Sequence, residues 1–190
     1  MRRILVAGID PAFANFGIAR MWLDLDTLEL DLEALQLIQT EKTELKQTRV
    51  SSDDLRRAQE LHGGFIYGLR ECVVCFAEIP SGAKDAKAAR LLGMATGVLA
   101  ACPIPIIEVQ PVETKLASVG TKTATKTEMI EWAVGKYPEG DWLRLNNKPG
   151  GRLLKDNEHL ADAIGVVHAG IRTPDFKRLL ALWHSAPVPS

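Results

Sequence analysis

The chain has 190 residues, of which 46% are hydrophobic and 25% charged, with a net charge of −1. That composition is ordinary for a globular domain, and 190 residues suffice for one domain that buries well over half of its unfolded surface. The longest uncharged stretch, residues 91–107, contains Pro103, Pro105 and two glycines, which excludes a membrane span.

Met1, Arg2 and Arg3 followed by the apolar residues 4–9 imitate a signal peptide. The run stops too early, at Asp10, and no small-residue cleavage site follows, so the expected location is the cytoplasm. Residues 4–9 read instead as a first buried strand. Residues 15–22 and 28–38 read as two more, with residues 24–27 as a turn, and the short spacing points to an antiparallel meander. A carboxylate at the inner end of a core strand costs several kcal/mol unless something pairs with it, so Asp10 either caps the next loop or faces a cation, a phosphate or a reacting group.

Ser51, Ser52 or Asp53 is expected to cap a helix running to about Arg70, with Leu55, Ala58, Leu61, Phe65 and Leu69 on one face. Residues 73–79 form the next buried strand, which also ends on an acid, Glu78. Cys72 and Cys75 make a single CxxC that enters this apolar strand and does not open a helix, and no second CxxC exists to complete a zinc site. Both are expected to be buried core thiols.

A helix over residues 84–101 follows, then a strand at 104–109 and a helix at 111–118. Thr125 or Thr127 starts another helix, ending near Lys136. Residues 138–156 are a loop rich in Gly, Asn, Pro and basic residues. Asn157 is expected to cap a strong helix to about Gly170, and 174–184 form a short helix before a Pro-rich tail. Strands in a meander, then strands alternating with helices, make an α/β fold: a five-stranded mixed sheet flanked by helices. The chain is expected to be one domain over 1–190, with a core of about 4–170 and a short extension at 171–190.

The charge is uneven. Residues 23–60 hold ten acids against five bases, whereas residues 80–155 hold eleven bases against seven acids, a balance compatible with a polyanion groove. The helix "DNEHLADAIGVVHAG", residues 156–170, has an apolar stripe of Leu160, Ile164, Val167 and Ile171. His159 and Asp162, three apart, share an adjacent face. Asp10 and Glu78 end apolar strands, and parallel neighbours would bring them together at the sheet edge where α/β folds place ligands. Like charges so placed need an offsetting cation. Hard oxygen ligands suit Mg²⁺ or Mn²⁺, and such ions support phosphodiester cleavage by in-line displacement.

Four stretches, "GIDPAFANFGIA", "FAEIPSGAKDAKAARLLGMATGVL", "VQPVETKLASVGTKTATKTEMI" and "HLADAIGVVHA", resemble the four blocks of RuvC-type Holliday junction resolvases in the ribonuclease H-like superfamily. They follow that family's order and spacing over about residues 4–170. The resemblance implies a ribonuclease H-like fold and a homodimeric, metal-dependent endonuclease for four-way junctions and other branched DNA. Asp10, Glu78, His159 and Asp162 would be the catalytic metal ligands, with Mg²⁺ as cofactor and Mn²⁺ also effective. Lys115 and Lys126 match the lysines that cradle the DNA backbone. Lys122, Lys84 and Lys87 are grouped with them as DNA contacts, and Thr121, Thr123 and Thr125 could add hydroxyls to phosphates. Gly93 and Gly97, with Ala86, Ala89 and Ala101, offer a small-residue helix face for the dimer or for packing on the sheet.

The chain also departs from that pattern. Ser81 stands where the family places a bulky apolar or aromatic wedge three residues after the strand-four Glu. The loop at 138–156 is longer than usual and carries Arg144, Lys148, Arg152 and Lys155 towards the helix bearing His159. Such divergence fits a phage or otherwise atypical member. Two other readings compete. "GIDPAFANFG" also resembles the DxGxxxxG phosphate loop of actin-like and sugar-kinase ATPases, which need a second phosphate loop and a larger second domain. The chain could also be a non-catalytic nucleic-acid-binding descendant of the nuclease fold, although retention of all four ligand positions argues against it.

Overall fold

The computed structural model describes residues 2–79 and 82–185. Within these residues, five strands build one mixed sheet: β1 (Arg3–Pro11), β2 (Asn15–Asp24), β3 (Leu30–Gln39), β4 (Cys72–Glu78) and β5 (Ile106–Val109), in the order β3-β2-β1-β4-β5. The first three pair antiparallel as the meander, and β1–β4 and β4–β5 pair parallel. The helices are α1 (Val50–Gly68), α2 (Ala86–Ala100), α3 (Pro111–Ser118), α4 (Lys126–Lys136), α5 (Asn157–Gly170) and α6 (Pro174–Ser185).

The period-2 alternation of the strands divides the core in two. Leu5, Ala7 and Ile9 of β1 and Cys75 and Ala77 of β4 pack with Leu61 and Phe65 of α1 and with Val98 and Leu99 of α2. Val6 of β1 and Val74 and Phe76 of β4 point the other way, into a cluster with α5, Met129 of α4 and Phe176 and Trp183 of α6. Each fully buried Leu, Ile or Phe contributes roughly 1.5–3 kcal/mol of hydrophobic stabilisation relative to exposure. By the same alternation Asp10 and Glu78 fall on the α5 side of the sheet. Ile9 pairs with Ala77, so the two acids end neighbouring parallel strands.

α5 crosses this face at unusually short range, and two glycines permit it. A Cβ on Gly8 would lie 2.1 Å from the Ala163 carbonyl oxygen, and one on Gly17 would lie 2.2 Å from that of His159. Gly17 is the cross-strand partner of Asp10. The bare backbone at these positions lets the start of α5 settle directly beside the end of β1.

Several local expectations change. Leu55 is 59% exposed and does not belong to the buried stripe of α1. The first turns of that helix instead face polar partners: Arg57 bonds Thr40 and lies over the Phe13 ring, and Asp54 pairs with Arg90 of α2 at 2.7 Å. None of Ser51, Ser52 and Asp53 caps α1. Its N-cap is Arg49 without a side-chain bond, and Asp53 accepts from Thr43 N and Arg56. Thr125 does cap α4, in a reciprocal box with Glu128. Asn157 is the first residue of α5 and not its cap. Its buried amide donates to the Leu143 and Leu154 carbonyls and accepts from Leu143 N. It thereby ties down the loop, whose strands meet at an Arg144–Leu153 bridge. Cys72 and Cys75 are buried and free, as expected, and burial pushes the Cys72 thiol up to about 11. No helix among the described residues is long and apolar enough to cross a membrane.

Candidate active site

Of the fourteen residues of α5, twelve are buried, and the two that are not are His159 and Asp162. Both stand over the end of β1. His159 Nδ1 lies 2.6 Å from Asp10 Oδ2, with both side chains mostly shielded. Glu78 is held from α3, where the Thr114 hydroxyl donates to its Oε1 at 2.5 Å. Three β-strand and helix ends thus bring together Asp10, Glu78, His159 and Asp162, the four residues singled out in the sequence.

Their electrostatics are those of crowded acids. Burial, followed by the charges of Asp10 and Glu78, pushes the Asp162 carboxyl up to about 7. Glu78 is also raised, by burial and by Asp10, although the Thr114 hydrogen bond and the charge of Lys115 work against the shift. Burial disfavours the imidazolium of His159, but its bond to Asp10 and the charges of Asp10, Glu158 and Asp162 outweigh that, and the net shift is upward. The upward shifts of Asp162, Glu78 and His159 mark a site short of positive charge.

Three hard carboxylates and an imidazole are a donor set suited to Mg²⁺ or Mn²⁺, and the deficit of positive charge fits a cation there. Among the described residues no three His, Cys, Asp or Glu side chains stand ready to hold an ion as they are.

The lysines distribute unequally. Lys126 Nζ pairs with Glu158 Oε1 at 2.8 Å while its side chain stays 68% exposed, and its charge reaches Asp162 and Asp10. Lys115 is close enough to act on Glu78. Lys84, Lys87 and Lys122 are exposed, and none of their contacts joins them to the four residues. Thr121 and Thr123 hydroxyls bond each other at 3.1 Å, and that of Thr125 is engaged in its helix cap. Beside Lys126 opens a groove of about 570 Å³ that also contains Ile130, Arg152, Leu153 and Lys155. The loop therefore brings Arg152 and Lys155 beside Lys126, whereas Arg144 is turned back onto the Gly151 carbonyl. Ser81 lies outside the described residues.

Sequence reasoning missed three supports. Thr114 carries no local signal of its bond to Glu78. Gly8 and Gly17 were legible only as strand residues, though their parity with Asp10 marks the α5 face. The Lys126–Glu158 pair links residues 32 positions apart, and nothing in their spacing announces it.

No family model matches the chain, and no curated protein sequence matches it. Among solved structures it is similar to Thermus thermophilus RuvC in complex with a Holliday junction substrate, with a TM-score of 0.62, 20% identity, and coverage of 87% of this chain and 92% of that one. T. thermophilus RuvC in a second structure gives a TM-score of 0.59 at 22% identity with the same coverage. Fowlpox virus resolvase with Holliday junction DNA gives 0.50 at 11% identity, covering 93% and 99%. At these identities the likeness shows the fold. The mixed sheet with its flanking helices is the ribonuclease H-like fold of those resolvases.

Proposed function

We propose that the chain is a metal-dependent, structure-selective endonuclease that cuts four-way junctions and other branched DNA as a homodimer. The observation that carries this reading is the convergence of Asp10, Glu78, His159 and Asp162 at the ends of β1, β4 and α5. It stands on a fold shared with resolvases solved with junction DNA.

In this reading Asp10, Glu78, His159 and Asp162 hold one or two Mg²⁺ or Mn²⁺ ions, which when bound supply Lewis-acid activation of the scissile phosphate and of water. Thr114 keeps the Glu78 carboxylate turned towards the site. Water oxygen bonds to phosphorus as the bond to the leaving sugar oxygen breaks, and the displaced proton passes to a neighbouring base. Lys115 and Lys126 flank the site and fix the backbone on either side. Lys84, Lys87 and Lys122 act at longer range.

The homodimer is supported by α2. Gly93 and Gly97 are exposed and nothing lies within 4 Å of where their Cβ atoms would be, so they do not serve packing on the sheet. Next to them an apolar groove of about 400 Å³ runs between α1 and α2, lined by Ala58, Met94 and Val98 among others. Paired sites related by a two-fold suit a junction with two strands to nick.

Incubating the protein with a synthetic four-way junction and with the corresponding duplex, with and without Mg²⁺, tests the reading. Cleavage confined to the junction and to added metal is expected. Junction binding without cleavage, with or without Mg²⁺, would assign the chain to a non-catalytic branch of the fold.

A further inference from the structure

Glu158 is a fourth acid in an already acid-crowded site, and it is only 7% exposed. It precedes His159 in the first turn of α5. Its Oε1 accepts from Lys126 Nζ at 2.8 Å. The same oxygen lies 3.6 Å from His159 Nε2, within ion-pair range but not yet a hydrogen bond. Its Oε2 is buried with no hydrogen-bond partner. The other imidazole nitrogen, Nδ1, faces Asp10 at 2.6 Å.

The ion pair with Lys126 does not account for this burial. The Lys126 side chain is largely exposed, and water would serve its ammonium at little cost. A buried carboxylate whose charge bears on Asp162 is costly to keep. It also has acceptor capacity left over, and a shift of a few tenths of an ångström brings it onto Nε2. Imidazoles that bind metal are oriented in this way, with the ring N–H opposite the ligating nitrogen donated to a carboxylate.

We infer that Glu158 is a positioning residue for His159: it receives the Nε2–H, fixes the ring, and leaves Nδ1 on the Asp10 side as the nitrogen presented to a cation. Lys126 pairs with the same carboxylate from the solvent side. The inference rests on the metal-site reading of the four residues and adds a fifth that touches neither the ion nor the DNA.

The test is Mn²⁺ binding by calorimetry, on the full chain without DNA, for wild type, Glu158→Ala, His159→Ala and the double variant. A residue that acts through His159 matters only while His159 is present. Glu158→Ala is expected to weaken Mn²⁺ about tenfold or more in the wild-type background and to have no further effect on His159→Ala. The thermal midpoint should hold or rise, since a poorly partnered buried acid is removed. Glu158→Asp keeps the charge but shortens the reach, and is expected to lose affinity like Glu158→Ala. Unchanged affinity in Glu158→Ala, an equal loss in the His159→Ala background, full retention in Glu158→Asp, or no Mn²⁺ binding by wild type each overturns it. If wild type cuts junctions with Mn²⁺ while Glu158→Ala binds the ion equally well, the inference fails and the nuclease reading stands. If the coupling is found in a protein that cuts no junction, the reverse holds.

Discussion

Asp162 shows how the site's chemistry and the protein's stability pull against each other. Its carboxyl is buried among like charges and held up to about 7. Replacing it with Asn removes that repulsion without changing shape. The expected outcome is a metal-free protein whose thermal midpoint rises by a few degrees and whose junction cleavage falls by about a thousandfold or more. His168, on the same helix, sits apart from the site. It is buried with Nε2 2.8 Å from the Tyr137 hydroxyl, and burial, with Lys136 and Arg172 adding to it, holds its pKa down to about 3. The folded-state value lies below the unfolded one of about 6.5. Between the two the unfolded chain binds the extra proton, so stability is full above about pH 6.5 and is lost as pH falls towards 3, by up to about 1.4 kcal/mol per pH unit. Urea titrations of wild type and His168→Gln across pH 3–8 check this. The variant's curve should lack that component of the slope, and parallel curves would contradict it.

At the scale of elements, the meander and the long α5 were readable because their apolar periods are unbroken. The parallel pairing of β1 with β4 was open, and entered only as the condition for Asp10 and Glu78 to meet. Asp10 and Glu78 stood out as charges where burial predicted apolar residues, and His159 and Asp162 as two polar residues on one face beside the apolar stripe of α5. Caps and loop ties were harder to read. The bonds that fix α1 and α5, from Arg57 to Thr40 and from Asn157 to Leu143 and Leu154, join segments distant in sequence or depend on loop geometry. The closeness of α5 to the sheet was also hidden, since it depends on what Gly8 and Gly17 lack. Gly17→Ala places a Cβ 2.2 Å from the His159 carbonyl oxygen, and α5 must retreat. A loss of about 1–3 kcal/mol in urea unfolding is expected. Cleavage should fall at least tenfold even where the variant is fully folded, because His159 and Asp162 move away from Asp10. A variant destabilised but fully active per folded molecule would show that the close approach serves packing alone.

For the whole molecule, two-fold assembly through the α1–α2 face and a cleavage centre on the opposite, α5 side of the sheet are separable claims. Gly97→Trp fills the groove beside Met94 and Val98 without touching the core behind it. Sedimentation should show a dimer for wild type and a monomer for the variant, and an unchanged dimer would place the interface elsewhere. The central claim is that Asp10, Glu78, His159 and Asp162 make this fold a junction nuclease. The most direct measurement is single-turnover cleavage of a synthetic four-way junction by wild type and Asp10→Asn, with binding followed on the same junction and Mn²⁺ at saturation. The account predicts paired nicks by wild type, and for Asp10→Asn a rate reduced about a thousandfold or more with junction affinity equal or higher, because a negative charge has left the site. Asp10→Asn cutting at the wild-type rate would contradict it.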